Sequence, residues 1–281
     1  DKDAAISRVK DYFKKLNSNY EHAVPYYERK ARPSIPSIKT LLTPSLIIKK
    51  IVKRVLKERV RKEFARYAKD MSTESRYGVY FLHCQPEANT MPEAGIYYDQ
   101  FQAIKKLSDA MPPDMTLLVK EHPSTFSREC DARYRPPGFY ARLCEIRNVK
   151  ICPIDSPTFS LIDNSKFVAS ISGMCMTEAL ARSIPVISFN PVRFKNFPSN
   201  AVIDGYSASL TSLSERLTEL IQITYSFPKN DVFSSFVNLE SFGYVSAFDE
   251  HTVPNSVSVQ KIMSLNANRK AVVDFQSNYD Y

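Results

Sequence analysis

The sequence predicts an α/β fold: a parallel sheet with helices on both faces, preceded by a helical segment. Three observations predict it. From Tyr77 onward, apolar runs of strand length alternate with helical patterns. Residues 1–75 show helical periodicity but no convincing strand. Ser170-Ile171-Ser172-Gly173 then joins a strand to a helix through a tight turn of small residues, and Thr177-Glu178-Ala179-Leu180 follows within that helix.

In chain order, Asp3–Leu16 has helical spacing (Ile6, Val9, Tyr12, Phe13, Leu16), and a connector containing Pro25, Pro33, Pro36 and Pro44 follows. Leu46–Tyr67 reads as a basic helix whose apolar stripe drifts round its axis, as a bent helix or one with two packing partners requires. The β-α alternation then runs Val79–His83, Tyr97–Ala110; Thr116–Lys120, Gly138–Ile146; Val149–Ile151, Thr158–Asp163; Phe167–Ile171, Met174–Ala181; Val186–Phe189, Ser207–Tyr225. Val232–Leu239 and Ser256–Leu265 read as terminal helices. The expected division is therefore a helical segment at 1–75 and a sheet domain at 76–281.

Composition narrows the function classes. The 281 residues are 43% apolar and contain no run of 18 apolar residues, so no spanning helix is expected. The chain opens on Asp1 without a charged-then-apolar leader, which reads as an internal or processed start. Five cysteines without a CxxC pair, and four histidines without metal-ligand spacing, suggest reduced thiols in the cytoplasm and no metal. The net charge of +8 lies wholly within Ser45–Lys69, which carries ten Lys/Arg against two Glu. The rest is neutral, so a general affinity for nucleic acid is not expected. The basic helix reads as a solvated face, an anchor on anionic lipid, or a nucleic-acid contact. Alternating aliphatic and basic residues suit lipid, and scarce aromatics argue against single strands.

Three loops carry the candidate site. A strand–turn–helix unit collects free amides and a helix's positive end at the carboxyl edge of a sheet, where phosphates bind. Ser170, Ser172, Gly173 and Thr177 supply that turn, and Glu178 is placed one helical turn on for a ribose. The same hydroxyls are also ordinary helix caps. Lys120-Glu121-His122-Pro123 ends the second strand, putting Lys120 and His122 at the crevice for charge balance and for donation to a leaving phosphate. His83-Cys84-Gln85-Pro86-Glu87 follows the first strand, with Gln85 and Glu87 as candidates for donor-sugar contacts and Glu87, with His122, for catalysis. Cys84 and Cys175 read as small packing residues. Asp99, Asp155 and Asp163 are not assignable as a base.

Together, His83-Cys84-Gln85-Pro86-Glu87, Lys120-Glu121-His122-Pro123 and Ser170-Ile171-Ser172-Gly173 with Glu178-Ala179-Leu180 and Pro185 resemble bacterial capsule polysaccharide biosynthesis proteins. That group includes the Kdo transferases and has the GT-B glycosyltransferase architecture. The resemblance covers roughly residues 77–200. It implies a Rossmann-like GT-B carboxyl-terminal domain, with His122 meeting the donor phosphate, Ser170, Ser172 and Gly173 forming the phosphate turn, and Glu178 contacting ribose. Residues 1–75 would then be closing helices of a domain outside this chain, and that domain would hold the catalytic base. The implied activity is transfer of a sugar from a nucleotide-sugar substrate, CMP-linked first and UDP-linked second, to a glycan or glycolipid acceptor without a metal cofactor. The implied location is the cytoplasmic face of the membrane, touched through residues 45–69. A sugar-nucleotide epimerase of the same fold and a non-catalytic membrane- or partner-binding module are the alternatives. Ser183 departs from the glycine that many relatives have two residues before the proline.

Overall fold

The computed structural model describes residues 44–69, 76–86, 90, 93–126, 130–190, 194 and 197–222, with a few isolated positions beyond them. The helices expected at Asp3–Leu16, Val232–Leu239 and Ser256–Leu265 fall almost wholly outside the described residues. The chain divides into two compact units, Lys15–Phe233 and the paired ends Asp1–Lys14 with Ser234–Tyr281, and every element named below belongs to the first.

Its order is α1 (Pro44–Tyr67), β1 (Tyr77–Phe81), α2 (Gln100–Ala110), β2 (Thr116–Lys120), α3 (Phe139–Glu145), β3 (Val149–Ile151), α4 (Thr158–Asp163), β4 (Val168–Ser170), α5 (Met174–Ala181), β5 (Val186–Ser188), β6 (Val202–Asp204) and α6 (Leu210–Gln222). The strands form one six-stranded sheet in the order β3-β2-β1-β4-β5-β6, every pairing parallel. Every residue of β1 is buried, because helices cover both faces of a parallel sheet and leave no wet side. Gly78 is required by packing. A Cβ there would lie 2.2 Å from the Phe167 ring, so only glycine lets that ring close over the central strand.

After β1 the chain builds outward through β2 and β3, then returns to lay β4 on the other side of β1. The β1/β4 boundary is therefore the topological switch point. In parallel α/β sheets the loops leaving the two carboxyl ends at such a point are where ligands bind. Helices seal the sheet with stripes at helical spacing: Ala103, Ile104, Leu107 and Ala110 from α2, and Leu213, Leu217 and Leu220 from α6, all buried.

Only the second half of α1 docks on this body. Val60 and Phe64 enter the core, with the Phe64 ring 5.1 Å from Phe126 and 5.3 Å from Tyr140. Glu63 accepts the N–H groups of Gly138, Tyr140 and Ala141 and so caps the start of α3. Lys57 donates to the Cys130 carbonyl at 2.9 Å. In the first half, Ile48, Ile51, Val52 and Val55 are about half exposed or more.

The structure adjusts several expected boundaries. β1 ends at Phe81 rather than His83. Asp99 caps the amide of Phe101 and so separates a 3-10 turn at Gly95–Tyr98 from α2 within the expected helix Tyr97–Ala110. β6 was not expected, because two apolar residues followed by Asp204 give no alternation to read.

Candidate functional site

The strand–turn–helix unit forms as expected at the switch point. Gly173 is the N-cap of α5 and has no side chain with which to cap it. The turn is held from across the crevice by a residue the sequence reading left out of its site, His83. The Ser172 N–H donates to His83 Nε2 at 3.2 Å, and Ser170 Oγ lies 3.1 Å from the same nitrogen. The Ser170 hydroxyl also donates to the Phe81 carbonyl at 2.8 Å, tying β4 to β1. The signal for His83 was its position beside the Cys84-Gln85-Pro86-Glu87 motif, but sequence alone could not aim the ring. One consequence corrects the reading of Ser172: the imidazole already engages its amide.

The main chain of His83 is fixed on both sides. Its N–H donates to Gln100 Oε1 at 2.7 Å, and its carbonyl accepts from Gln100 Nε2 at 3.2 Å and Arg135 Nη2 at 2.9 Å. Beneath it lies a buried ion pair that sequence reasoning also missed. Arg135 Nε donates to Glu121 Oε2 at 2.8 Å and Nη2 to Oε1 at 2.9 Å, and Glu121 has no exposed surface. Tyr140, Thr125 and the His122 amide donate to the same carboxylate. Burial pushes the Glu121 carboxyl up, but Arg135's charge and these hydrogen bonds hold it below the usual carboxylate range. Burial and the facing Glu121 carboxylate raise the Tyr140 phenol. Glu121 therefore stays ionised and fully occupied, which suits an anchor rather than a base.

The other expected site residues divide. Gln85 is buried and turned inward: its Nε2 donates to the Tyr98 carbonyl at 2.7 Å, and its Oε1 accepts from Gln100 at 2.8 Å. Its expected contact with a sugar gives way to a role in shaping the loop. Lys120 is also redirected. Its ammonium donates to the carbonyls of Pro153, at 3.1 Å, and Ile154, behind β3 and on the side of β2 away from the switch point. Burial lowers its pKa to about 8, with Cys152, Asp155 and Glu121 acting against the fall. Thr177 is buried in α5, and Glu178 is half-buried. Glu87 lies outside the described residues.

His122 is half-buried, and its Nδ1 accepts the Ser124 N–H at 3.1 Å. A ring nitrogen that accepts an N–H carries no proton, so in the neutral ring the proton sits on Nε2.

The cysteines differ from the expectation of reduced, unpaired thiols. Cys84 and Cys130 form a disulfide across 46 residues of chain with Cα atoms 5.3 Å apart; Cys144, Cys152 and Cys175 are free. Two cysteines distant in sequence gave no spacing to recognise. Among the described residues, Cys84, His122 and Cys130 place ligand atoms within 4.8 Å of one another. Sulfurs joined to each other are not the thiolates that a metal binds.

The strand order, the switch point and the glycine-capped helix define a Rossmann-type parallel α/β domain. No protein-family model matches the chain, and no curated protein does. Solved structures similar to it include a UDP-GlcNAc 2-epimerase from Methanocaldococcus jannaschii in complex with UDP-GlcNAc and UDP (14% identity, 69% of this chain and 51% of that one, TM-score 0.35). They also include a UDP-N-acetylglucosamine 2-epimerase described as such for Listeria monocytogenes (15% identity, 70% and 49%, TM-score 0.35). A third is Thermosulfurimonas dismutans KpsC, a beta Kdo 2,7 transferase (15% identity, 76% and 69%, TM-score 0.36). The chain spans about half the length of the two epimerases.

Proposed function

We propose that the chain is the nucleotide-sugar-binding domain of a glycosyltransferase of surface polysaccharide assembly. The observation that carries this reading is the Ser170–Gly173 turn, which leads into the start of α5 at the β1/β4 switch point and is braced by His83. A donor's phosphate would take the first amides of α5, with ribose near Thr177 and the half-buried Glu178. His122, just past the carboxyl end of β2 and oriented by the Ser124 amide, is the general acid or electrostatic partner of the leaving phosphate in this reading. An acceptor hydroxyl then displaces the nucleotide. Glu87 remains the candidate on this chain for engaging the acceptor or sugar. The donor is CMP-linked first and UDP-linked second, and no metal is required.

The acceptor is a glycan or glycolipid at the cytoplasmic membrane face. Among the described residues no helix is long and apolar enough to cross a membrane. The free half of α1 supports a peripheral contact instead. Ile48, Ile51, Val52 and Val55 recur at the spacing of one helix face and are exposed, Lys49, Lys50, Lys53 and Arg54 occupy the rest, and no acid precedes Glu58 from Pro44 on.

Calorimetric titration with CMP and with UDP, each with and without Mg²⁺, tests the reading. Saturable binding of one of them, unaffected by Mg²⁺ and weakened about tenfold or more in His122→Ala, is expected. Heats indistinguishable from dilution for both nucleotides would sink it. An epimerase would convert a UDP-sugar with no acceptor present, and a non-catalytic module would bind vesicles but neither nucleotide.

A further inference from the structure

The Cys84–Cys130 bond joins the loop after β1 to a second segment that also holds it. Cys84 lies between His83, whose ring braces the phosphate turn, and Gln85, whose amide orders the loop. Cys130 begins the segment that runs through Asp131 to Arg135. From that segment the Asp131 N–H donates to the Gln85 carbonyl at 2.9 Å and Arg135 reaches the His83 carbonyl. His122 places a ring nitrogen within 4.8 Å of both sulfurs. The covalent bond, the Asp131 amide and the Arg135 guanidinium thus form three parallel ties between the same two loops.

We propose that Cys84 and Cys130 are a thiol–disulfide switch that clamps the loop after β1 and thereby sets donor affinity. The affinity clause rests on the proposed function; the clamp does not. In reducing surroundings such a bond opens and in oxidising ones it persists, so its state follows the redox poise around the chain. The reductant is a dithiol. Its thiolate attacks one sulfur to give a mixed disulfide, and its second thiol then displaces the protein. Two electrons and two protons pass to Cys84 and Cys130, and the reductant leaves as its own disulfide. Opening removes the covalent tie. The loop carrying His83 and Gln85 is then held by hydrogen bonds alone, and thiols appear beside the imidazole that the leaving phosphate needs.

Hydrogen exchange followed by mass spectrometry on the full chain, oxidised and after treatment with dithiothreitol, tests the clamp directly. The Asp131 amide is expected to lose protection on reduction and regain it on reoxidation. The Leu82 amide, bonded to the Lys120 carbonyl across the sheet, stays protected. The double variant Cys84→Ser/Cys130→Ser should exchange like the reduced protein whatever the redox state. In parallel, the reduced protein is expected to bind CMP or UDP roughly tenfold more weakly, since several loop residues must be ordered again on binding. Unchanged exchange at Asp131 overturns the proposal. So does peptide mapping that finds Cys84 and Cys130 unbonded in the oxidised protein, or a reduced protein that holds one equivalent of Zn²⁺ and keeps Asp131 protected. Equal nucleotide affinity in both states overturns the affinity clause and leaves the proposed function intact. If neither state binds nucleotide while Asp131 responds, the proposed function fails and the clamp stands.

Discussion

His83 and His122 differ in which ring nitrogen accepts a backbone N–H, and so in what each offers a ligand. At His83 the acceptor is Nε2, turned onto the Ser172 amide; at His122 it is Nδ1, turned onto the Ser124 amide. His83 therefore braces the turn, and His122 is the residue proposed to meet the phosphate. His83→Ala is expected to weaken CMP or UDP binding about tenfold by leaving the Ser172 amide and the Ser170 hydroxyl to rearrange. His83→Gln, which keeps an acceptor, should recover part of the loss. Calorimetry on the two variants checks this, and equal affinity in Ala and wild type would remove His83 from the site. Lys120 gives a pH signature. Its ammonium titrates at about 8 in the folded protein against an ordinary 10.5, so between those values the unfolded chain binds more protons and stability rises with pH. The window to read is pH 8 to 9, because burial holds the Cys152 thiol up at about 12 and acts in the opposite direction above 9. Over that unit Lys120 is expected to add about 1 kcal/mol. Urea unfolding of wild type and Lys120→Met should diverge in pH slope by that amount, and parallel slopes would contradict it.

Among elements, β1 and α1 show different limits of pattern reading. β1 was legible because a strand covered on both faces must be apolar throughout, but the reason for Gly78 within it was not. Its reason lies in another strand's flank: the Phe167 ring fills the space a side chain would need. Gly78→Ala is expected to cost about 1–3 kcal/mol by overpacking. Gly78→Ala with Phe167→Leu should lose less than the sum of the two single changes, as denaturant midpoints would show. In α1 the drifting stripe was legible, and the structure gives its cause. From Lys57 onward the contacts turn to α3 and its approach, where Glu63 caps the helix and Phe64 packs, whereas Ile48–Val55 face solvent. One helix carries two apolar faces because it serves two surroundings.

For the whole molecule, the bare half of α1 leads to a measurable association. In flotation assays the full chain is expected to bind vesicles of phosphatidylglycerol and phosphatidylcholine, to release them at high salt, and to ignore pure phosphatidylcholine. Ile51→Asp/Val55→Asp should abolish binding while leaving the unfolding midpoint unchanged. Retained flotation in that variant would reject the surface. Local periodicity and the length of apolar runs were enough to read a parallel α/β domain from Tyr77, its strand and helix sequence, and a turn of small residues before Glu178, because burial on a sheet or helix face imposes its period on neighbouring residues. Pairings between distant residues leave no such trace. Only the tertiary structure brought Cys84 to Cys130, turned Gln85 and Lys120 away from the crevice, buried Glu121 against Arg135, and aimed His83 at Ser172. A side chain's partner is set by where the chain returns in space, and the strand order β3-β2-β1-β4-β5-β6 made those returns.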